Sequence, residues 1–154
     1  MAKPRNKRLA AAAAIATALA IPAEGLRQFA YYDPPGILTV CYGTTGPEVI
    51  KGKKYSLDEC KAFLDADMLS AVKMVEACHP GLPEKVLAAF GDAVYNLGPT
   101  VACNSTASSY LAMGNYVSAC NQLPRWNKAS VAGAMVPLPG LTKRREAERL
   151  LCLS

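Results

Sequence analysis

Apolar positions along the chain predict an α+β domain in which one small sheet precedes a series of helices. Between residues 57 and 76 they recur at spacings of three and four, which is the repeat of an amphipathic helix. Ser56 and Glu59 form a capping box at its start, because each side chain can bond a backbone N–H that the helix leaves unpaired. A second helix is predicted to begin at Pro83 and to end before Gly98.

The rest of the pattern predicts a hairpin and several shorter elements. Residues 30–46 place tyrosine, isoleucine and valine on both sides of the turn sequence DPPG, which predicts a small hairpin. Short helices are predicted over residues 106–113 and 115–124. Glycine and proline predict a loop over residues 127–141, after which Thr142 is expected to cap a last helix.

The N-terminus has a different pattern. Residues 9–23 carry no charge, and they follow four cations, which are Lys3, Arg5, Lys7 and Arg8. A basic cluster before a short apolar stretch is typical of an export signal, so we expect the Sec export machinery to send the rest of the chain outward. Removing this cluster from the net charge of +5 leaves +1, which argues against a nucleic-acid-binding domain.

The length of the apolar segment leaves its fate open. A helix over residues 9–23 would span roughly 22 Å, which is less than the roughly 30 Å hydrocarbon core of a bilayer. Most of these residues are alanine, which contributes little to membrane insertion. Composition alone favours a cleaved signal peptide, with residues 18–20 as the small-residue cleavage site.

Six cysteines agree with export from the cytoplasm. No two of them form a Cys-x-x-Cys pair and the chain has one histidine, so no metal site is expected. An even number of scattered cysteines in an exported chain predicts up to three disulfides. Nearest neighbours in sequence suggest the pairs Cys41–Cys60, Cys78–Cys103 and Cys120–Cys152.

Three side chains at and beyond the end of the apolar segment are candidates for catalysis. Glu24 and Asp33 supply carboxylates, and Thr39 supplies a hydroxyl. A glycosidase needs one acid that protonates the leaving oxygen and one ionised carboxylate that stabilises positive charge on the sugar. Two acids at this spacing are more often ordinary surface charges, so these residues alone leave both interpretations open.

The sequence around these residues resembles the phage-type lysozymes, the muramidase family of the T-even phages. The stretch EGLRQFAYYD, followed by PPGILTVCYGTTG, matches the family pattern Glu-x8-Asp-x5-Thr at Glu24, Asp33 and Thr39. The similarity continues through SLDECKAFLDADM, AVYNLG, RW and LTKRREAERLLC, and it covers residue 23 to the end of the chain. Within the family, the chain is similar above all to the signal-anchor-release endolysins of lambdoid-type phages.

The resemblance implies a lysozyme-like fold and an enzyme that lyses the host cell. Such an enzyme hydrolyses the β-1,4 bond between N-acetylmuramic acid and N-acetylglucosamine in peptidoglycan. Glu24 would be the general acid, kept protonated near neutrality by partial burial. Asp33 would stay ionised and would orient the attacking water together with Thr39. We expect a monomer that needs no cofactor.

The resemblance also implies roles for residues outside this motif. Asn96 would face the sugar cleft, although a residue at a helix end can equally bond its own backbone. Arg145, together with Arg144, would meet the anionic peptide stems of peptidoglycan or would lie exposed without a partner. Relatives carry a histidine after the glycine that corresponds to Gly43, where this chain has Thr44, so the stabilising contact of that histidine is in doubt.

The resemblance changes the interpretation of the N-terminus. In the phage-type lysozymes the acid follows a helix that packs on the domain, and only residues 9–23 can build that helix here. We therefore expect residues 1–23 to be a retained signal anchor and residues 24–154 to be the catalytic domain. The enzyme would be held at the periplasmic face of the host inner membrane, and loss of the membrane potential would release it into the periplasm.

Three other functions remain as alternatives. An inactive lysozyme-like module would bind cell-wall glycans without cleaving them, and a hole-forming membrane peptide would carry a passive domain. A lytic transglycosylase would need one acid but no hydrolytic water. The presence of Glu24, Asp33 and Thr39 together argues against the inactive module, and the Asp33–Thr39 pair argues against the transglycosylase. The short, single apolar segment and the full core downstream argue against the hole-forming peptide.

Overall fold

The computed structural model describes residues 4–154, so the first three residues of the expected signal anchor, including Lys3, lie outside it. The helices are α1 (Arg5–Ala20), α2 (Leu57–Cys78), α3 (Glu84–Leu97), α4 (Thr100–Cys103), α5 (Thr106–Ala112), α6 (Tyr116–Cys120) and α7 (Pro139–Leu153), with a short 3₁₀ turn at Leu123–Arg125. The strands are β1 (Arg27–Tyr32), β2 (Leu38–Cys41), β3 (Lys128–Val131) and β4 (Ala134–Pro137). The predicted α+β class is confirmed.

The predicted N-terminal hairpin is present as an antiparallel pair of β1 and β2. Tyr31 lies opposite Thr39 in this pair, and the DPPG sequence forms the turn between the strands. Gly36 occupies the left-handed region at φ 88°, which glycine adopts at no steric cost. A small core of its own lies under the hairpin, and it consists of Val40, Cys41, Tyr55 and Cys60.

The predicted loop over residues 127–141 is wrong, because β3 and β4 form a second hairpin there. Its two strands pair in register from Val131 and Ala134 at the turn, where Gly133 has φ 83°. Glycine and proline indicated a loop in the sequence, yet here glycine forms the tight turn and Pro137 ends the second strand.

The helices follow the predicted pattern with two differences. The capping box of Ser56 and Glu59 at the start of α2 is confirmed, and Pro83 precedes α3 as predicted. The expected cap at Thr142 is wrong, because α7 begins earlier, at Pro139, a residue suited to the first helical turn. Thr142 instead accepts a hydrogen bond from Asn127 at 3.0 Å. Helix α4 was not predicted.

Helix α3 is the centre of the helical lobe, since α1, α2 and α7 all pack against it. Every residue from Val86 to Val94 is buried, as expected for a helix surrounded by others. Asp92 is the one charged residue in this stretch, and it is fully buried. A charge in such a position requires a partner, and that partner lies in the candidate active site.

Helix α1 packs into this core through small side chains. Ala12, Ala16 and Ala20 lie on one face at a spacing of four, and all three are fully buried. At the other end of the helix, Arg8 donates to the carbonyl of Leu82 at 2.8 Å and forms a buried ion pair with Glu76. Among the described residues, no helix has both the length and the apolar character required to cross a bilayer.

Three disulfides staple the fold, and each joins the nearest neighbours in sequence. The pairs are Cys41–Cys60, Cys78–Cys103 and Cys120–Cys152. They tie β2 to the start of α2, the end of α2 to α4, and α6 to α7. Cross-links of this kind stabilise a fold mainly by restricting the unfolded chain.

Thr44, where the resemblance predicted a histidine, makes a contact between the two lobes. Its hydroxyl, which is buried, donates to Oδ2 of Asp67 on α2 at 3.3 Å and so connects the hairpin lobe to the helical lobe. Burial raises the pKa of Asp67, and the hydrogen bond from Thr44 offsets this only in part. The two lobes are therefore bridged at this point by a neutral donor, the Thr44 hydroxyl.

Replacing Asp67 with asparagine should stabilise the fold at neutral pH. The pKa of Asp67 is raised in the folded chain. Asp67 therefore contributes favourably to the free energy of unfolding below the ordinary carboxyl pKa, and this contribution is lost as pH rises through the pKa of the folded state. Asp67→Asn keeps an acceptor for Thr44 and removes the desolvated charge. We expect a melting temperature a few degrees higher at neutral pH and unchanged in acid, measured by circular dichroism.

The matched control is Asp65→Asn, which makes the same chemical change at a half-exposed position on the same helix that pairs with Lys61 on the surface. That variant should melt within about one degree of the parent at both pH values, because surface ion pairs contribute little. If Asp67→Asn changed the melting temperature equally in acid and at neutral pH, the raised pKa of Asp67 would not explain the stabilisation.

The close approach of α2 and α3 depends on Gly91. A Cβ at this position would lie 2.7 Å from Cγ2 of Val72, a side chain with little rotamer freedom in a helix. We expect Gly91→Ala to lower the free energy of unfolding by about 1–3 kcal/mol, although alanine favours helix formation. Gly140→Ala, which meets no atom within 4 Å, should change stability by about 1 kcal/mol at most. Urea denaturation of both variants measures the difference, and equal stability would contradict the packing argument.

Candidate active site

Glu24 is positioned by the end of helix α1. The N–H groups of Ala23 and Glu24 both donate to the carbonyl of Ala20 at 2.9 Å, and this turn closes the helix. The Glu24 side chain is 23% exposed, so it is accessible from one side only. The location of this carboxylate therefore follows from the packing of α1 on the domain.

Arg144 of α7 holds the Glu24 carboxylate. Its Nη1 donates to Oε1 of Glu24 at 2.5 Å. Its Nε and Nη2 donate to Oδ2 and Oδ1 of Asp92 at 2.9 and 2.7 Å. Burial lowers the pKa of Arg144, but the hydrogen bonds and charges of Asp92 and then Glu24 outweigh burial and raise it above its ordinary value. The guanidinium is thus a permanent cation between two carboxylates.

Tyr95 links the two lobes beside this group. Its hydroxyl donates to the carbonyl of Tyr42 at 2.7 Å, which joins α3 to the chain just after β2. Burial raises the pKa of Tyr95, and the negative charges of Glu24 and Asp67 raise it further. Tyr95 therefore stays protonated and remains a neutral donor next to Glu24.

Asp33 and Thr39 meet at the tip of the N-terminal hairpin. Oδ1 of Asp33 accepts from the N–H of Ile37 at 2.7 Å, which fixes the carboxylate against the turn. The Thr39 hydroxyl lies 2.9 Å from the Ile37 carbonyl, to which it donates, and 3.5 Å from Oδ2 of Asp33. Thr39 is buried and Asp33 is half-buried, so the hairpin presents one carboxylate oxygen with a hydroxyl beside it.

The two halves of the predicted site are fixed independently. Within residues 4–154, no hydrogen bond or ion pair joins Glu24 to Asp33 or Thr39. Glu24 is held by helices α1 and α7, whereas Asp33 and Thr39 are held by their own hairpin. The two carboxylates are therefore positioned by separate parts of the fold.

A cavity of about 280 Å³ opens between the lobes beside Tyr95. Backbone and small polar groups form much of its wall, including Gly43, Thr45, Asp67 and Gly98. Neither Glu24 nor Asp33 lines this cavity. Apolar side chains, among them Met74 and Val94, form the rest of its wall.

Asn96 lies in the last turn of α3 and is half-buried. Its Oδ1 is buried and has no hydrogen-bond partner among the described residues. The expected alternative, a hydrogen bond from the side chain to its own backbone, does not satisfy this oxygen. An acceptor without a partner is costly unless a bound group supplies a donor.

Arg145 does not occupy either of the positions expected for it. Its side chain is fully buried, and its guanidinium forms a bidentate ion pair with Glu148 at 2.6 and 2.7 Å. The expectation that it meets peptide stems of a substrate is therefore wrong, as is the alternative of an exposed, unpaired side chain. The reason is that α7 begins at Pro139 and carries residue 145 into the core, one turn beyond the helix start.

Sequence reasoning missed the charge network around Glu24. Arg144 was grouped with Arg145 as a peptide contact, and Asp92 and Tyr95 were not considered. A lone aspartate within the apolar stretch of α3 is a signal that could have revealed a buried partner. The identity of that partner, on α7, could not be read from the sequence.

Comparison with known proteins places these features in a family. The family model for phage lysozymes matches residues 22–148. The SAR-endolysin of Bacteriophage PS119 is 38% identical over 131 residues, which cover 84% of this chain and 76% of that protein.

Solved structures give the same result. The muramidase domain of SpmX from Asticaccaulis excentricus has a TM-score of 0.82 at 26% identity, covering 90% of this chain and 95% of that one. The active form of the P1 phage endolysin Lyz has a TM-score of 0.76 at 27% identity, covering 90% and 83%. The secreted inactive form of Lyz has a TM-score of only 0.52 at 26% identity, covering 70% and 75%. The chain belongs to the phage lysozyme family.

Proposed function

We propose that this chain is a phage endolysin that hydrolyses the β-1,4 bond between N-acetylmuramic acid and N-acetylglucosamine in host peptidoglycan. Membership of the phage lysozyme family makes it a glycoside hydrolase. The observation that carries the mechanism is the pair of separately held carboxylates. One, Glu24, is supported by buried Arg144, and the other, Asp33, is joined to Thr39 on the hairpin.

Glu24 acts as the general acid in this mechanism. Its side chain is partly buried and open on one side, so it can reach the glycosidic oxygen and is shielded elsewhere by protein. Protonation of that oxygen lets the departing sugar leave as a neutral alcohol, which is a better leaving group than an alkoxide. The bond breaks as positive charge develops on the sugar ring.

Asp33 stabilises that positive charge and directs the water. Its Oδ1 is occupied by the N–H of Ile37, which leaves Oδ2 facing the hydroxyl of Thr39. A water held between Oδ2 and that hydroxyl would lose its proton to Asp33 as it attacks the sugar. Separation of acid and base on different elements leaves room for this water, as inverting hydrolysis requires.

Sugar binding is assigned to the cavity beside Tyr95 and to Asn96. The cavity wall combines polar groups with apolar side chains. Rotation of the half-buried Asn96 amide on substrate binding would let its unpartnered Oδ1 accept a hydrogen bond from a sugar hydroxyl or amide. We assign peptidoglycan as the substrate because its glycan strands contain the bond that a muramidase of this family would cleave.

The N-terminal segment is proposed to be retained as a signal anchor, residues 1–23, followed by the catalytic domain, residues 24–154. In support, the segment is alanine-rich and short, so it is held only weakly in a bilayer. The same alanines form the buried face of α1 in the folded domain. The greater similarity to the active form of Lyz agrees with a docked helix as the active state.

Anchoring makes activity depend on location. While residues 9–23 lie in the inner membrane, Glu24 is at the bilayer surface and cannot contact Arg144. When the membrane potential is lost, the basic N-terminus is no longer drawn toward the cytoplasm and the segment can leave the bilayer. Docking of α1 then brings Glu24 to the site in the periplasm.

Glu24→Gln should remove lysis without changing the fold, because the amide oxygen can still accept from Arg144 but the amide cannot transfer a proton to the leaving oxygen. We expect the rate of turbidity loss of purified peptidoglycan to fall by about 10²–10⁴-fold or more, with an unchanged melting temperature. Glu146→Gln, the same change on a half-exposed side chain of α7, is the control and should retain full activity. Appreciable activity of Glu24→Gln would contradict the assignment of Glu24 as the general acid.

Analysis of the products in the same experiment separates the alternatives. Hydrolysis yields reducing sugar ends, whereas a lytic transglycosylase yields anhydro ends that have not taken up water. A module that only binds glycan would sediment with peptidoglycan and release no fragments from it.

The mass of the mature chain tests the anchor. We expect a full-length product of about 16.3 kDa in the membrane fraction, which moves to the soluble periplasmic fraction after an ionophore abolishes the membrane potential. A product that lacks residues 1–20 would refute retention. Reducing agents alone should not release the enzyme, because residues 1–40 contain no cysteine.

A further inference from the structure

The proposed role of Glu24 conflicts with its nearest partner. A general acid must hold a proton in the resting enzyme, yet Nη1 of Arg144 lies 2.5 Å from Oε1 of Glu24. A cation at this distance stabilises the ionised carboxylate and so opposes protonation. The structure must contain something that weakens the effect of this guanidinium on Glu24.

Asp92 is the group placed to do so. Both of its carboxylate oxygens accept from Arg144, at 2.7 and 2.9 Å, whereas Glu24 accepts through one oxygen. Asp92 is fully buried, so water does not screen its charge from the guanidinium.

The other charged and titratable groups near this centre have partners of their own. On α7, Arg145 and Glu148 are both fully buried and bond each other at two points, and Glu148 also has a side-chain hydrogen bond with Asp92. Burial raises the pKa of Glu148, and the neighbouring Asp92 raises it further. Tyr95 on α3 remains a neutral hydroxyl, and Asp67 on α2 is bonded to Thr44. Asp92 is therefore the acid that compensates Arg144 directly.

We propose that Asp92 is a positioning residue that shares the charge of Arg144, so that Arg144 can hold Glu24 in place while Glu24 keeps its proton. The proposal rests on the role of Glu24 as general acid. Its geometric basis is one buried guanidinium bonded to two carboxylates, with the two-point contact going to Asp92. Positioning and protonation, which conflict when an arginine faces an acid alone, become compatible.

A purely structural role for Asp92 makes a different prediction. The Asp92–Arg144 pair also ties α3 to α7, so its loss must weaken the fold in either case. If Asp92 only stabilised the packing of α3 on α7, its replacement would change the amount of active enzyme by the same factor at every pH. A residue that controls the charge felt by Glu24 would move the pH at which activity is lost.

The experiment compares pH profiles of kcat/KM on purified peptidoglycan at constant ionic strength. The alkaline limb of this profile reports loss of the proton from the general acid of the free enzyme. Asp92→Asn leaves Arg144 uncompensated, which favours ionised Glu24, so the limb should move to lower pH by about one unit. Arg144→Gln leaves Asp92 uncompensated and should move the limb to higher pH.

The double variant Asp92→Asn with Arg144→Gln removes both charges and should return the limb to within about half a unit of the parent, which a structural role would not produce. Asp65→Asn, a surface change of the same kind, should leave the profile in place. Each profile is recorded where circular dichroism shows the variant folded. If Asp92→Asn does not fold, the comparison of Arg144→Gln with the double variant tests the same coupling.

The outcomes are distinct. Superimposable alkaline limbs for the parent, the single variants and the double variant would overturn the proposal and leave Asp92 as a brace between helices. Activity in Glu24→Gln would instead overturn the proposed function on which it rests. Opposite shifts in the two single variants, restored in the double variant, would establish the charge sharing.

Discussion

One buried guanidinium joins the parts of this enzyme that must meet for catalysis. Arg144 bonds Glu24 and Asp92, and so connects the chain after α1, the central helix α3 and the C-terminal helix α7. Leaving a buried charge without its partner costs about 3–5 kcal/mol, so such a centre is stable only when its charges are matched. In the proposed release mechanism, Asp92 keeps the arginine paired while α1 lies elsewhere, and docking of α1 then adds the proposed acid to a centre that is already formed.

The helix that delivers Glu24 is built from residues suited to two environments. Alanine has too little apolar surface to hold a short helix firmly in lipid, yet its small side chain lets α1 approach α3 closely at Ala12, Ala16 and Ala20. Larger apolar residues on this face would bind the membrane more tightly and would not fit the core as it stands. Weak anchoring and close packing are thus two consequences of one composition.

The sequence was informative wherever a local pattern decides the structure. The capping box at Ser56 and the proline before α3 fix helix starts through contacts a few residues apart, so both were predictable. The hairpin of β3 and β4 was missed because its glycine and proline also suit a loop, and strand pairing decides between them. Arg144 and Asp92 are separated by 52 residues, and which buried charges meet depends on how helices pack. The candidate catalytic residues Glu24, Asp33 and Thr39 were identified from the family resemblance and not from a local pattern.

The distribution of disulfides explains how one chain can hold a stable domain and a movable active site. Every cross-link lies between Cys41 and Cys152, so the helical lobe and the base of the hairpin are stapled whatever the N-terminal segment does. The segment that ends at Thr39 contains Glu24, Asp33 and α1, and non-covalent contacts alone hold it within the described residues. Because all three proposed catalytic groups precede the first cysteine, no disulfide opposes the proposed assembly of the site. The placement of Glu24 directly after a short, alanine-rich helix agrees with the proposal that folding of the domain and activation of the enzyme are separate steps.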